Sequence, residues 1–214
     1  MPSLRVQGIL FDLDGVLIDS TAGVARVWRQ WGARHGLDPE QTAHTAHGRR
    51  AIDTIRLLAP ELDAEAEMHD LVRLEIADSS DIVAIPGAAA LLASLPLGRW
   101  AIVTSCTRDL ATHRLTVAGL PVPDLMITGS DIDQGKPHPE PYQRGAALLG
   151  LPAAACVAAE DAPSGITSAL AAGMPVLALP TTYEAAELAH ATALLPNLAA
   201  LQSMIVGDSI RLSW

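Results

Sequence analysis

The sequence predicts an α/β protein: a doubly wound parallel sheet with a small helical domain inserted after its first strand. Three observations predict it. Short β-type runs recur along the chain, each followed by a turn signal and a helical pattern, which is the mark of βαβ units. Most of these runs are continuously apolar rather than alternating, as strands are when helices cover both faces of a sheet. Finally, the segment between the first and second runs is too long for one crossover and carries no convincing strand.

The expected strands are Val6 to Phe11, Trp100 to Thr104, Leu125 to Thr128, Ala155 to Ala159 and Pro175 to Leu179. Within the long segment, one helix is expected from Ser20 or Thr21 to about Gly36, with Val24, Val27, Trp28 and Trp31 at helical spacing on one face. A second is expected over Arg50 to Leu58, stopped by Pro60, and a third from Ala64 to about Asp78. The reading is therefore a catalytic core over 1–15 and 84–214, with residues 16–83 as an inserted helical lid over the mouth of the sheet.

Half of the 214 residues are hydrophobic, and no charge-dense or Gly/Ser-rich tract suggests disorder. The formal net charge of -10 argues against a nucleic-acid partner, which requires a basic surface to displace counterions. An anionic substrate would then need local positive charge. The stretch Ala162 to Tyr183 is uncharged, but Pro163, Gly165, Gly173, Pro175 and Pro180 punctuate it, so it reads as helix, turn and buried strand rather than a membrane span. With no apolar leader near the amino terminus, the expectation is a cytoplasmic enzyme with no membrane partner, acting as a monomer or weak dimer. Cys106 and Cys156 are expected to be reduced and structural.

In a parallel α/β sheet the ligand sits beyond the carboxyl ends of the strands. Polar groups gather there in this sequence: Asp12-Leu13-Asp14-Gly15, Thr104-Ser105, Gly135-Lys136-Pro137 and Glu160-Asp161. Each meets a need of phosphoryl transfer, whose transition state spreads negative charge over oxygens. Asp12 suits the nucleophile, forming an aspartyl phosphate that splits one difficult displacement into two. Asp12 and Asp161 suit a Mg²⁺ site, holding the ion through oxygens at roughly 2.1 Å. Asp14, two residues on, is the expected general acid and base. Thr104 can donate its hydroxyl to a phosphate oxygen, with help from the backbone N–H groups of Ser105 and Cys106, or can simply cap the strand end. Lys136 is the only lysine among fourteen basic residues, and it is assigned to the transferring phosphate and to Asp12. Glu160 either orients the metal's surroundings or ligates directly.

These motifs resemble the haloacid-dehalogenase-like hydrolase superfamily, and they stand here as Phe11-Asp12-Leu13-Asp14-Gly15-Val16, Ile102-Val103-Thr104-Ser105, Gly135-Lys136-Pro137-His138-Pro139 and Glu160-Asp161-Ala162-Pro163-Ser164-Gly165. The resemblance implies a Rossmann-like core, a helical cap, and Mg²⁺ held by Asp12, the backbone carbonyl of Asp14, and Asp161. Within the superfamily, His47 to Asp53, Thr104 to Asp109 and Lys136 to Tyr142 look most like the glycerol-3-phosphate and 2-deoxyglucose-6-phosphate phosphatases. On that likeness the substrate is a small phosphorylated metabolite, a sugar or polyol phosphate, with Ser105, Arg49 and Arg50 as substrate-binding residues.

Similarity to beta-phosphoglucomutase is also visible, but the arginine expected three residues after the glycine is here Ala51, with Arg50 one place earlier; this departure counts against a sugar phosphomutase. A dehalogenase lacks the second acid, whereas Asp14 is present. A phosphonatase needs a cap lysine, whereas 16–83 has none. A signalling receiver module, the reading from another class, places its acceptor acid at a later strand and has no inserted helical domain.

Overall fold

The computed structural model describes residues 2–214; Met1, the first residue of the expected core, lies outside them. The chain opens with β1 (Ser3–Val6) and β2 (Gly8–Phe11), then β3 (Ile18–Asp19) and four helices: α1 (Thr21–Arg34), α2 (Pro39–Ala46), α3 (Ala51–Leu58) and α4 (Ala64–Ala77). It continues through β4 (Val83–Ala84), α5 (Ala88–Ser94), β5 (Trp100–Val103), α6 (Arg108–Val117), β6 (Met126–Ile127) and α7 (Glu140–Leu148). The remainder is β7 (Cys156–Glu160), α8 (Pro163–Ala171), β8 (Val176–Ala178), β9 (Ala193–Leu194), β10 (Gln202–Val206) and β11 (Ser209–Ser213).

Six strands form one sheet in the order β6-β5-β2-β7-β8-β9, every neighbouring pair parallel. The α/β class and the expected strands are therefore present, except that the run expected from Val6 to Phe11 is broken at Gln7, with Val6 ending β1 in a separate antiparallel sheet. The continuous apolarity of these strands has a direct cause. Ile9, Phe11, Trp100, Ile102, Val157 and Ala159 point into one core cluster, while Leu10, Ala101, Val103 and Ala158 point into the cluster on the other face. The register sets Phe11 opposite both Ile102 and Ala159, so the polar residues that follow these strands emerge at one edge.

The four helices between β3 and β4 share their own core, in which Val27, Trp28, Trp31, Ile55 and Leu71 are buried. Their starts follow from local chemistry. Asp38 accepts from Gln41 N with Pro39 at the first turn of α2, and Asp63 accepts from Glu65 and Ala66 N at the start of α4. The sequence expectation omitted α2 and read no strand in 16–83. There β3 and β4 pair antiparallel, Ile18 opposite Ala84 and Asp19 opposite Val83, in elements too short to show a period. Beyond Leu179 the sequence expectation assigned nothing. In that region β10 and β11 form a hairpin that takes β1 into a three-stranded antiparallel sheet. The uncharged stretch after Ala162 is divided between α8 and β8, and no helix among the described residues is long and apolar enough to cross a membrane.

Candidate active site

Asp12 follows β2 and is 5% exposed, with its backbone N–H held by Ala159 O at 3.0 Å. Its Oδ1 accepts from Leu13 N at 2.7 Å and lies 3.1 Å from Lys136 Nζ. The same ammonium donates to Glu160 Oε1 at 2.6 Å and lies over the Tyr142 ring, 5.3 Å from its centroid. Tyr142 also donates its hydroxyl to Glu160 Oε1 at 2.7 Å, while Glu160 Oε2 takes the backbone N–H groups of Asp161 and Ala162. Both oxygens of Glu160 are thus engaged. It fixes Lys136 and the start of the loop after β7.

Ligand oxygens of Asp12, Glu160 and Asp161 can all lie within 4.8 Å of one another, and all three residues are buried. Three carboxylates against one ammonium leave two negative charges uncompensated, which is the charge of one divalent cation. The acids themselves register that imbalance. Burial pushes the Asp12 carboxyl up to about 7, with Lys136 opposing and Glu160 and Asp14 adding. Burial likewise pushes Asp161 well up, with Glu160 and Asp12 adding. Hard carboxylate oxygens in this arrangement fit a divalent metal, which Asp12, Glu160 and Asp161 could hold. Gly15 leaves room for that site: its φ is +76°, and a Cβ there would collide with the Asp161 carboxylate.

Asp14 is held by a different set of partners. Its Oδ1 accepts from Ser20 Oγ at 2.6 Å and from Arg114 NH1 at 2.8 Å, and its Oδ2 from Cys106 Sγ at 3.0 Å. Burial alone would raise it, but Arg114 and these hydrogen bonds hold its carboxyl below the usual carboxylate range. Ionised, it is in the form that takes a proton from water. Thr104, 2% exposed, follows β5; its Oγ1 accepts from Cys106 N at 3.1 Å, leaving its own proton to donate.

The helical segment meets the core beside these groups. Gly48 O accepts from Ser105 Oγ at 3.2 Å and Ser164 Oγ at 3.4 Å, and a Cβ on Gly48 would lie 2.8 Å from that of Ala162. Arg50 makes two hydrogen bonds to Asp53, at 2.6 and 2.9 Å, and reaches the carbonyls of Gly129, Ile132 and Asp133 at 3.4, 2.9 and 2.9 Å. All five of its N–H groups are engaged, so in this conformation it clasps the two parts of the chain together. Arg49 is exposed and makes no ion pair among the described residues, and it lines the same cavity of about 230 Å³ as Asp12, Asp14, Thr104, Ser105 and Asp161. His47 donates Nδ1–H to Ala43 O at 2.8 Å, and burial holds its pKa down, so it is neutral with a partnerless Nε2.

Sequence reasoning did not find Arg114, Glu75, Ser20 or the thiol of Cys106 in this setting. Arg114 lies a hundred residues from Asp14, and no local pattern marks it.

A buried acid cluster with one lysine, at the carboxyl edge of a parallel α/β sheet and beneath a helical layer, defines a hydrolase of phosphoryl-transfer type. Residues 6–173 match the family described as haloacid dehalogenase-like hydrolase, and the chain belongs to that family. It is 44% identical over 181 residues to hexitol phosphatase A of Escherichia coli, covering 82% of this chain and 84% of that protein. It is 36% identical over 195 residues to glycerol-1-phosphate phosphohydrolase 1 of Saccharomyces cerevisiae, covering 85% and 78%. Among solved structures, a hydrolase from Pseudomonas syringae superposes with a TM-score of 0.81 at 25% identity, over 89% of this chain and 94% of that one.

Proposed function

We propose that this protein is a Mg²⁺-dependent phosphatase that hydrolyses small sugar or polyol phosphates through an aspartyl phosphate on Asp12. The chain is a phosphoric monoester hydrolase; the metal, the intermediate and the substrate class are what the proposal adds. The observation that carries it is the Asp12–Lys136–Glu160–Asp161 cluster opening onto a cavity beneath the helices.

In this reading residues 1–15 and 84–214 are the catalytic core and 16–83 the cap. Asp12, Asp161 and the backbone carbonyl of Asp14 hold the ion, which when bound screens substrate phosphate from the carboxylates. Asp12 attacks phosphorus in line. Lys136 and the Thr104 hydroxyl hold the equatorial oxygens, with Ser105 N–H beside them. Asp14 gives a proton to the departing alkoxide and afterwards takes one from the water that cleaves the acyl phosphate. Protonated for the first step, it must loosen the ion pair with Arg114 that holds it ionised. Arg49 faces the substrate; Arg50 closes the cap. The relatives named hexitol phosphatase and glycerol-1-phosphate phosphohydrolase support a polyol phosphate as substrate.

The test is phosphate release from a panel of polyol, hexose and aryl phosphates. Release should stop on chelation, return with Mg²⁺, and be abolished in Asp12→Asn; substantial turnover by that variant would refute the nucleophile assignment.

A further inference from the structure

The cavity contains a charged group that phosphoryl transfer does not require. Besides Asp12 and Asp161 it is lined by Glu75, Arg114, Trp28 and Leu71. Glu75 comes from α4, is 9% exposed, and its Oε2 accepts from Arg114 NH2 at 3.1 Å. Arg114, 3% exposed, comes from α6 and also donates to Asp14, while its Nε–H is buried without a partner. Two carboxylates share this one guanidinium, and burial pushes the Glu75 carboxyl up, with Arg114 and a hydrogen bond from Trp28 opposing and Asp14 adding. A carboxylate in the wall of a cavity built for an anionic ester works against binding by simple attraction, which calls for a reason in the rest of the substrate.

Resting on the phosphatase reading above, we propose that Glu75 is a specificity-determining residue that recognises the leaving group: it accepts hydrogen bonds from the hydroxyls of an uncharged polyol chain and rejects leaving groups with a second phosphate or a carboxylate. The chemistry is matched. An ionised carboxylate only accepts, and a polyol offers several O–H donors. Oε2 of Glu75 accepts from Arg114 and the carboxylate also takes a hydrogen bond from Trp28, so it is oriented by both and retains acceptor capacity. Trp28 and Leu71 supply an apolar wall for the C–H face of the chain. Rejection comes from like charge, since an anionic substituent would meet the Glu75 carboxylate in the cavity wall.

The experiment compares wild type with Glu75→Gln, which keeps size and shape and removes the charge, on sorbitol 6-phosphate, glycerol 1-phosphate, 6-phosphogluconate and p-nitrophenyl phosphate. The ratio of kcat/KM for sorbitol 6-phosphate over the aryl ester should fall about tenfold or more in the variant, mainly through KM. The ratio for 6-phosphogluconate over sorbitol 6-phosphate should rise. Free sorbitol should compete with the aryl ester on wild type and do so about tenfold more weakly on the variant. A mere cap-to-core ion pair would lower all substrates together and leave the ratios unmoved, and that result overturns the proposal. The two readings fail differently: phosphate release from the aryl ester with unchanged ratios removes only the role of Glu75, whereas no release from any ester removes both.

Discussion

Replacing Lys136 with methionine tests the charge balance of the site, because methionine keeps the apolar stem and removes only the ammonium. That ammonium lies 2.6 Å from Glu160 Oε1 and 3.1 Å from Asp12 Oδ1, on a side chain 1% exposed. Without it, Glu160 retains the Tyr142 hydroxyl and two backbone N–H groups, while Asp12 retains the Leu13 N–H. Removing one partner of a buried ion pair costs about 3–5 kcal/mol. In a chain of this size each kcal/mol moves Tm by about 2–4 °C. The metal-free variant should therefore melt roughly 6–20 °C below wild type, towards the lower end because Asp12 can take up a proton. Saturating Mg²⁺ should raise the variant's Tm by more than it raises that of wild type, since the cation answers one further uncompensated charge. Phosphate release should fall by about a hundredfold or more in kcat/KM, as expected for losing a group that stabilises transition-state charge. Calorimetry with and without Mg²⁺ measures the first two. A metal-free Tm within about 2 °C of wild type would refute the idea that Lys136 compensates buried charge.

Further outcomes follow from the same geometry. Burial raises the folded-state pKa of Asp12 above its unfolded value of 3.8, to about 7, so without metal its protonated form favours the fold. That contribution is fully present below the unfolded pKa and is lost as pH rises through the folded one. The metal-free Asp12→Asn variant should accordingly gain stability over wild type from about pH 4 to about pH 7 and then hold level; denaturant titrations across pH that show no such trend would contradict it. Arg50→Lys keeps the charge but offers three donors where five are engaged, so it cannot span Asp53 and three carbonyls. Its kcat/KM for polyol phosphates should drop about tenfold while binding of Mg²⁺, read by thermal shift, stays as in wild type; equal losses in both would place Arg50 elsewhere in the mechanism.

Much of this molecule is legible in its sequence where the information is local. The runs around Ile9, Ile102 and Val157 announce buried strands because both faces of each are covered. The acids and hydroxyls at their ends are legible because each follows its strand directly. Two elements had signals that went unread: Asp38-Pro39 begins a helix, and Gly207-Asp208 turns a hairpin. The hairpin is masked by exposed Met204 and Ile205, which spoil its alternation. Other features have no local signature. Glu75 and Arg114 meet across 39 residues, and Arg50 is occupied by backbone carbonyls that any sequence possesses. A cap arginine reads equally well as a substrate ligand or as a clasp until its acceptors are seen.

The short pairing of β3 with β4 bears on how such a protein diversifies. The chain departs from the sheet at Ile18–Asp19 and comes back at Val83–Ala84, with the two passages hydrogen-bonded to each other and Ile85 N bonded to Leu17 O. Everything between them is joined covalently at this one doorway and otherwise only by non-covalent contacts such as those of Gly48 and Arg50. On the proposed reading, in which these helices meet the leaving group, such a helical cassette could be exchanged without shifting the register of any strand that presents Asp12, Thr104 or Asp161, and the taste for a leaving group could be inherited separately from the chemistry that removes it.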